Sequence, residues 1–89
     1  MRKNIVELAE KMGDVVVDEF ANELFITVYD CYLDSNYREI EGDLNEDACD
    51  EFFNFLNANA NNIEIRKFDS NKYYFDDFVV VIAYSSTDI

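Results

Sequence analysis

The sequence predicts an α+β fold: a single domain over residues 1–89 in the order α-β-β-β-α-β-β, with a mainly antiparallel sheet and two helices on one face. Three observations predict it. Two segments, residues 4–12 and 44–57, repeat apolar residues at helical spacing. Five others carry β-branched and aromatic residues bounded by turn formers. The connections between strands are hairpin-length, which favours antiparallel pairing. A hydrophobic content of 49% with eight Phe and six Tyr marks a globular chain despite a net charge of −13. Eighty-nine residues allow one modest core, and the sequence shows no Pro, no repeat and no internal boundary.

Asn4 is the expected cap of the first helix, with Glu7 three residues later completing a capping box. Ile5, Leu8, Ala9 and Met12 form its apolar stripe, and Gly13 stands where a helix stops. Residues 14–20, with three consecutive valines, form the first strand, and the stretch around Ala21, Asn22 and Glu23 a hairpin turn. Residues 24–33 form a long second strand. Leu24, Ile26, Val28, Asp30 and Tyr32 alternate with Phe25, Thr27, Tyr29, Cys31 and Leu33, so both faces carry large apolar groups. A turn at residues 34–36 leads to a short third strand, residues 37–41, and Gly42 releases the chain into the second helix. Asp43 is the expected cap there, with Glu46 three residues on.

On that helix Leu44, Ala48, Phe52, Phe55 and Leu56 share one face at about 100° per residue, with Cys49 and Phe53 at its edge. The run NANANN ends it near Asn57. Residues 63–68 form the fourth strand and residues 69–72 a turn. Residues 73–84 form one bent strand, or two separated by a bulge at Asp76 and Asp77, centred on the strongest β signal in the chain, FVVVIAY. The tail SSTDI is expected to fray. Two short helices cover one side of five strands, so aromatics such as Phe25 and Tyr29 are expected on the uncovered side, a surface suited to a homodimer or a partner.

The charge is regional. Between Asp14 and Glu64 stand fourteen acids and one base, Arg38, while the other bases lie towards the ends. Its densest part, EIEGDLNEDACDE, holds Glu39, Glu41, Asp43, Glu46, Asp47, Asp50 and Glu51 in thirteen residues. Like charges at i,i+4, here Asp43–Asp47, Glu46–Asp50 and Asp47–Glu51, each cost roughly 0.2–0.5 kcal/mol in an isolated helix. The helix dipole offsets that for Asp43, Glu46 and Asp47 but does not reach Asp50 and Glu51. Solubility is the bland account of such a surface. The sharper one is a surface shaped to meet a basic partner. Carboxylates at i,i+4 on a helix stand about 5–6 Å apart, and at i,i+2 on a strand about 6.7 Å, spacings that resemble a row of backbone phosphates. A basic groove built for nucleic acid would attract such a row, whereas nucleic acid itself would be repelled. The seven acids are therefore the candidate partner-binding residues.

Other chemistry finds little support. The chain has no His, which removes the commonest general base and transition-metal ligand. Asp43, Asn45 and Asp47 match the first three ligand positions of a calcium loop, but the sixth position is Ala48 and the twelfth Asn54. Asp76 and Asp77 are adjacent and would point to opposite faces of a strand. The expectation is no catalytic residue, no metal and no cofactor. Cys31 and Cys49 fall in different elements and form no redox or zinc pattern, so both are expected to be buried structural thiols. No apolar run reaches the roughly 20 residues of a membrane helix, and no signal peptide is evident, so a cytoplasmic protein without membrane contact is expected.

In type, a small, acidic, Pro-free chain is similar to the inhibitors that phages direct against bacterial nucleases, restriction systems or CRISPR effectors. Several of those occupy the nucleic-acid site of their target as DNA mimics. The likeness implies a protein–protein inhibitor of a nucleic-acid-binding enzyme, with no residue carried over. An immunity protein or antitoxin against a basic toxin would use the same electrostatics. A structural or adaptor subunit would instead use the aromatic sheet face.

Overall fold

The computed structural model describes residues 1–29, 31–32, 39–40, 45–65 and 70–85, with 31–32, 39–40, 70, 84 and 85 as backbone. Two helices, α1 (Arg2–Glu10) and α2 (Glu46–Asn59), lie against one face of a five-stranded sheet. The sheet strands are β1 (Val15–Phe20), β2 (Glu23–Tyr29), β5 (Asn62–Ile65), β6 (Ser70–Tyr74) and β7 (Val79–Ser85), in the spatial order β1-β2-β7-β6-β5. Two short pieces, β3 (Cys31–Tyr32) and β4 (Glu39–Ile40), pair antiparallel as a separate ladder. The α+β class and the placement of both helices on one face are as the sequence predicts.

Strand alternation builds the core. The registers Val15↔Val28, Val17↔Ile26, Ile26↔Ile82, Leu24↔Val80 and Tyr73↔Val80 place these residues on the helix side. There Leu24, Ile26, Val28, Tyr73, Val80 and Ile82 are buried against Ile5 and Ala9 of α1, Met12 in the turn after it, and Ala48, Cys49, Phe52, Phe53 and Leu56 of α2. Phe52 has no exposed surface and meets Phe53 edge-on, ring centroids 5.0 Å apart. Burying one such side chain contributes about 1.5–3 kcal/mol. The strongest β signal becomes the middle strand of the five, β7, parallel to β2 and antiparallel to β6.

Several local expectations are corrected. The α1 helix begins at Arg2 with Met1 at its cap position and no side-chain cap, so Asn4 lies inside the helix. Arg2 supplies the anchor instead. Its guanidinium donates to the carbonyls of Phe20 (2.8 Å) and Ala21 (3.0 Å), and its Cζ lies 5.9 Å from the centre of the Phe78 ring. Gly13 does end the helical segment, with a φ of 103° that a residue with a Cβ adopts only at a cost.

The cap of α2 is Asn45, whose Oδ1 accepts from the amide of Ala48 at 3.0 Å, not Asp43. Asn45 also donates its amide to the Met12 carbonyl, 2.9 Å, which fixes the start of α2 to the end of α1. The cap stands two residues later than expected, and packing draws in Cys49 and Phe53, expected at the edge of the apolar face, while Phe55 is half-buried. The helix runs to Asn59, two residues past the expected end.

The second strand stops at Tyr29, and the predicted third strand is represented by Glu39–Ile40, outside the main sheet. The fifth sheet strand comes from the segment read as a turn and a bent strand. Ser70, Asn71 and Lys72 belong to β6, and Asp76 and Asp77 sit at the tip of a hairpin where the chain reverses. There Phe75 donates its amide to the Phe78 carbonyl at 2.9 Å, and the two rings stack 4.7 Å apart. A bulge would have kept the strand direction. The stacked rings and the register Tyr74↔Val79 reverse it.

Candidate protein-interaction surface

The apolar spacing of α2 dictates which of its side chains reach water. With Ala48, Cys49, Phe52, Phe53 and Leu56 turned to the core, Glu46, Asp47, Asp50 and Glu51 fall on the opposite side and are exposed. Glu46–Asp50 and Asp47–Glu51 are i,i+4 neighbours, about 5–6 Å apart at Cβ. Glu46 and Asp47 occupy the first turn, where the helix dipole favours them; Asp50 and Glu51 lie beyond it. All four are exposed, and among the described residues none of them takes part in an ion pair.

The remaining candidates are not brought together in the same way. Glu39 lies on β4, where the backbone alone is described. Glu41 and Asp43 lie outside the described residues. The Asp43–Asp47 pairing at i,i+4 does not arise within α2, which begins at Glu46. Asn45, the middle member of the calcium-like spacing, has Oδ1 engaged in capping, and no group of three His, Cys, Asp or Glu that could hold a metal ion occurs among the described residues.

Past Glu51 the exposed side of α2 continues as Asn54, Asn57 and Asn59, uncharged amides, and Asn59 turns its Nδ2 to the Phe55 carbonyl at 2.8 Å. Beyond the helix, Asn61 donates through Nδ2 to Asp76 Oδ1 at 2.6 Å. That contact holds the exposed Asp76–Asp77 hairpin tip beside the C-terminal end of α2, an adjacency that linear spacing does not reveal.

Cys49 is buried at 1% exposure, as expected of a structural thiol, and the side chain of Cys31 lies outside the described residues. On the sheet face away from the helices, Phe25 and Tyr29 are half-buried and Val81 is buried at 5%. Tyr74 donates its hydroxyl to Glu64 Oε1 at 3.1 Å on the same face. Among the described residues no helix is long and apolar enough to cross a membrane. The chain matches no known protein family, no curated protein and no solved structure.

Proposed function

We propose that this protein is a non-catalytic, acidic protein–protein inhibitor that occupies the basic nucleic-acid-binding surface of a target enzyme. One observation carries the reading: Glu46, Asp47, Asp50 and Glu51 form an exposed carboxylate row, without an ion pair among the described residues, on a helix whose other side is locked into the core. A rigid row needs no ordering on contact, which favours binding, and its sign steers it towards Lys- and Arg-lined grooves. Like charges held side by side are mildly costly to the helix itself, and a basic partner would relieve that cost.

The test begins with capture of the partner from a lysate of the source cells at about 50 mM and about 300 mM salt, a range that takes the screening length below 10 Å. The expected partner is a nucleic-acid-binding enzyme, held at low salt, released at high salt and displaced by added DNA. The variant carrying Asp47→Lys, Asp50→Lys and Glu51→Lys is expected to bind it far more weakly, mostly through a slower association rate. Salt-insensitive capture, together with unchanged affinity in the triple variant, would reject the proposal.

A further inference from the structure

Among the described residues the strand β1 is an edge of the sheet, and natural edges are commonly guarded by charged side chains, Lys above all, by Pro, by a bulge or by a covering loop. Residues 15–20, VVVDEF, contain no Lys and no Pro, and the register with β2 is continuous, without a bulge. The outward direction of its backbone follows from one hydrogen bond. Tyr29 donates its amide to the Asp14 carbonyl at 2.8 Å, so Asp14 is hydrogen-bonded inward to β2. Alternation in an antiparallel ladder then turns Val16, Asp18 and Phe20 inward and directs the amides and carbonyls of Val17 and Glu19 away from the sheet.

The side chains beside this edge have a definite chemistry. On the face away from the helices Val16 is 45% and Phe20 60% exposed, with the exposed Asp18 between them and Glu23 opposite Phe20. On the helix side Glu19 contacts Arg2, Nε to Oε1 3.4 Å, an ion-pair distance without an aligned hydrogen bond. An apolar–acid–apolar strip along an open edge matches an extended segment that alternates apolar and basic side chains. A second copy of this chain is the poor match. Each molecule carries −13, and β1 contributes only acids to a shared seam.

We infer that β1 is a docking edge for an extended, basic segment of a partner protein, added to the sheet as a sixth strand. Main-chain hydrogen bonds to Val17 and Glu19 would supply affinity, and Asp18 with Val16 and Phe20 the selectivity. Like charge guards this edge against self-pairing and leaves it open to the opposite sign. The inference rests on the reading that the partner is basic, but it names a surface distinct from α2.

The probe is a capped heptapeptide of alternating Lys and Val, titrated into the labelled protein and followed by amide chemical shifts. Saturable shifts confined to residues 14–20, with slowed hydrogen exchange at Val17 and Glu19, are expected. Methylating alternate backbone nitrogens of the peptide should weaken binding about tenfold or more, and Asp18→Lys should do likewise. In the α2 triple variant the peptide's shifts should still centre on residues 14–20, so failure at the edge and failure of the carboxylate row are read separately. Equal affinity for the methylated peptide, shifts centred on α2, or concentration-dependent protection of Val17 and Glu19 without peptide would each overturn the inference.

Discussion

Arg2 shows how much one side chain can organise. From the first turn of α1 it reaches two carbonyls at the β1–β2 turn and lies over Phe78 at the β6–β7 turn, so three elements converge on it. Hydrogen bonds of this kind contribute about 1 kcal/mol net, and the ion pair with the exposed Glu19 adds little. Arg2→Ala is expected to lower unfolding stability by roughly 1–2 kcal/mol, measured by urea denaturation. Asn45→Ala removes the α2 cap and should cost about 1 kcal/mol, while Asn45→Asp should restore most of it. Phe52→Ala opens the centre of the core, at an expected cost of about 3–5 kcal/mol. Cys49, buried in that core, should resist a small maleimide until the protein unfolds.

The helix α2 shows which part of an element a sequence encodes and which part its neighbours decide. Apolar spacing was enough to place Phe52 and Leu56 inside and Asp47, Asp50 and Glu51 outside. The starting residue was not legible, because Asp43 and Asn45 are both good caps. What favours Asn45 is the hydrogen bond from its amide to Met12, a contact thirty-three residues distant in the chain. The hairpin at residues 75–78 was missed for a related reason. Phe75 and Phe78 read as strand residues by propensity, but the Phe75 amide bonded to the Phe78 carbonyl and the stacked rings accompany a reversal at DD. The four acids on α2 follow from periodicity, whereas the place of Asp76 beside the helix end depends on Asn61. The α2 triple variant is expected to keep its circular dichroism spectrum, since its three positions face solvent.

At the scale of the molecule, a charge of −13 is carried within principal extents of 36 × 24 × 23 Å. Self-repulsion at that density opposes compaction, and added salt screens it. The melting temperature is therefore expected to rise as sodium chloride increases from low to moderate concentration, measured by thermal denaturation, while binding to a basic partner weakens over the same range. Opposite responses of fold and binding to salt are therefore the expected signature of the proposed inhibitor. A surface that was merely solubilising would show the first effect without the second.

The strand that sits third in the sheet is the last of its strands along the chain. Without β7, the β1–β2 hairpin and the β5–β6 hairpin share no backbone ladder. The ladders that join them need residues 79–85, and the parallel pairing Leu24↔Val80 spans most of the chain before it closes. Such long-range closure slows folding and makes it cooperative. A fragment ending at residue 78 should give a collapsed, poorly dispersed amide spectrum, and addition of a peptide covering 79–85 should restore dispersion. The two hairpins therefore become one sheet only once its central strand has arrived.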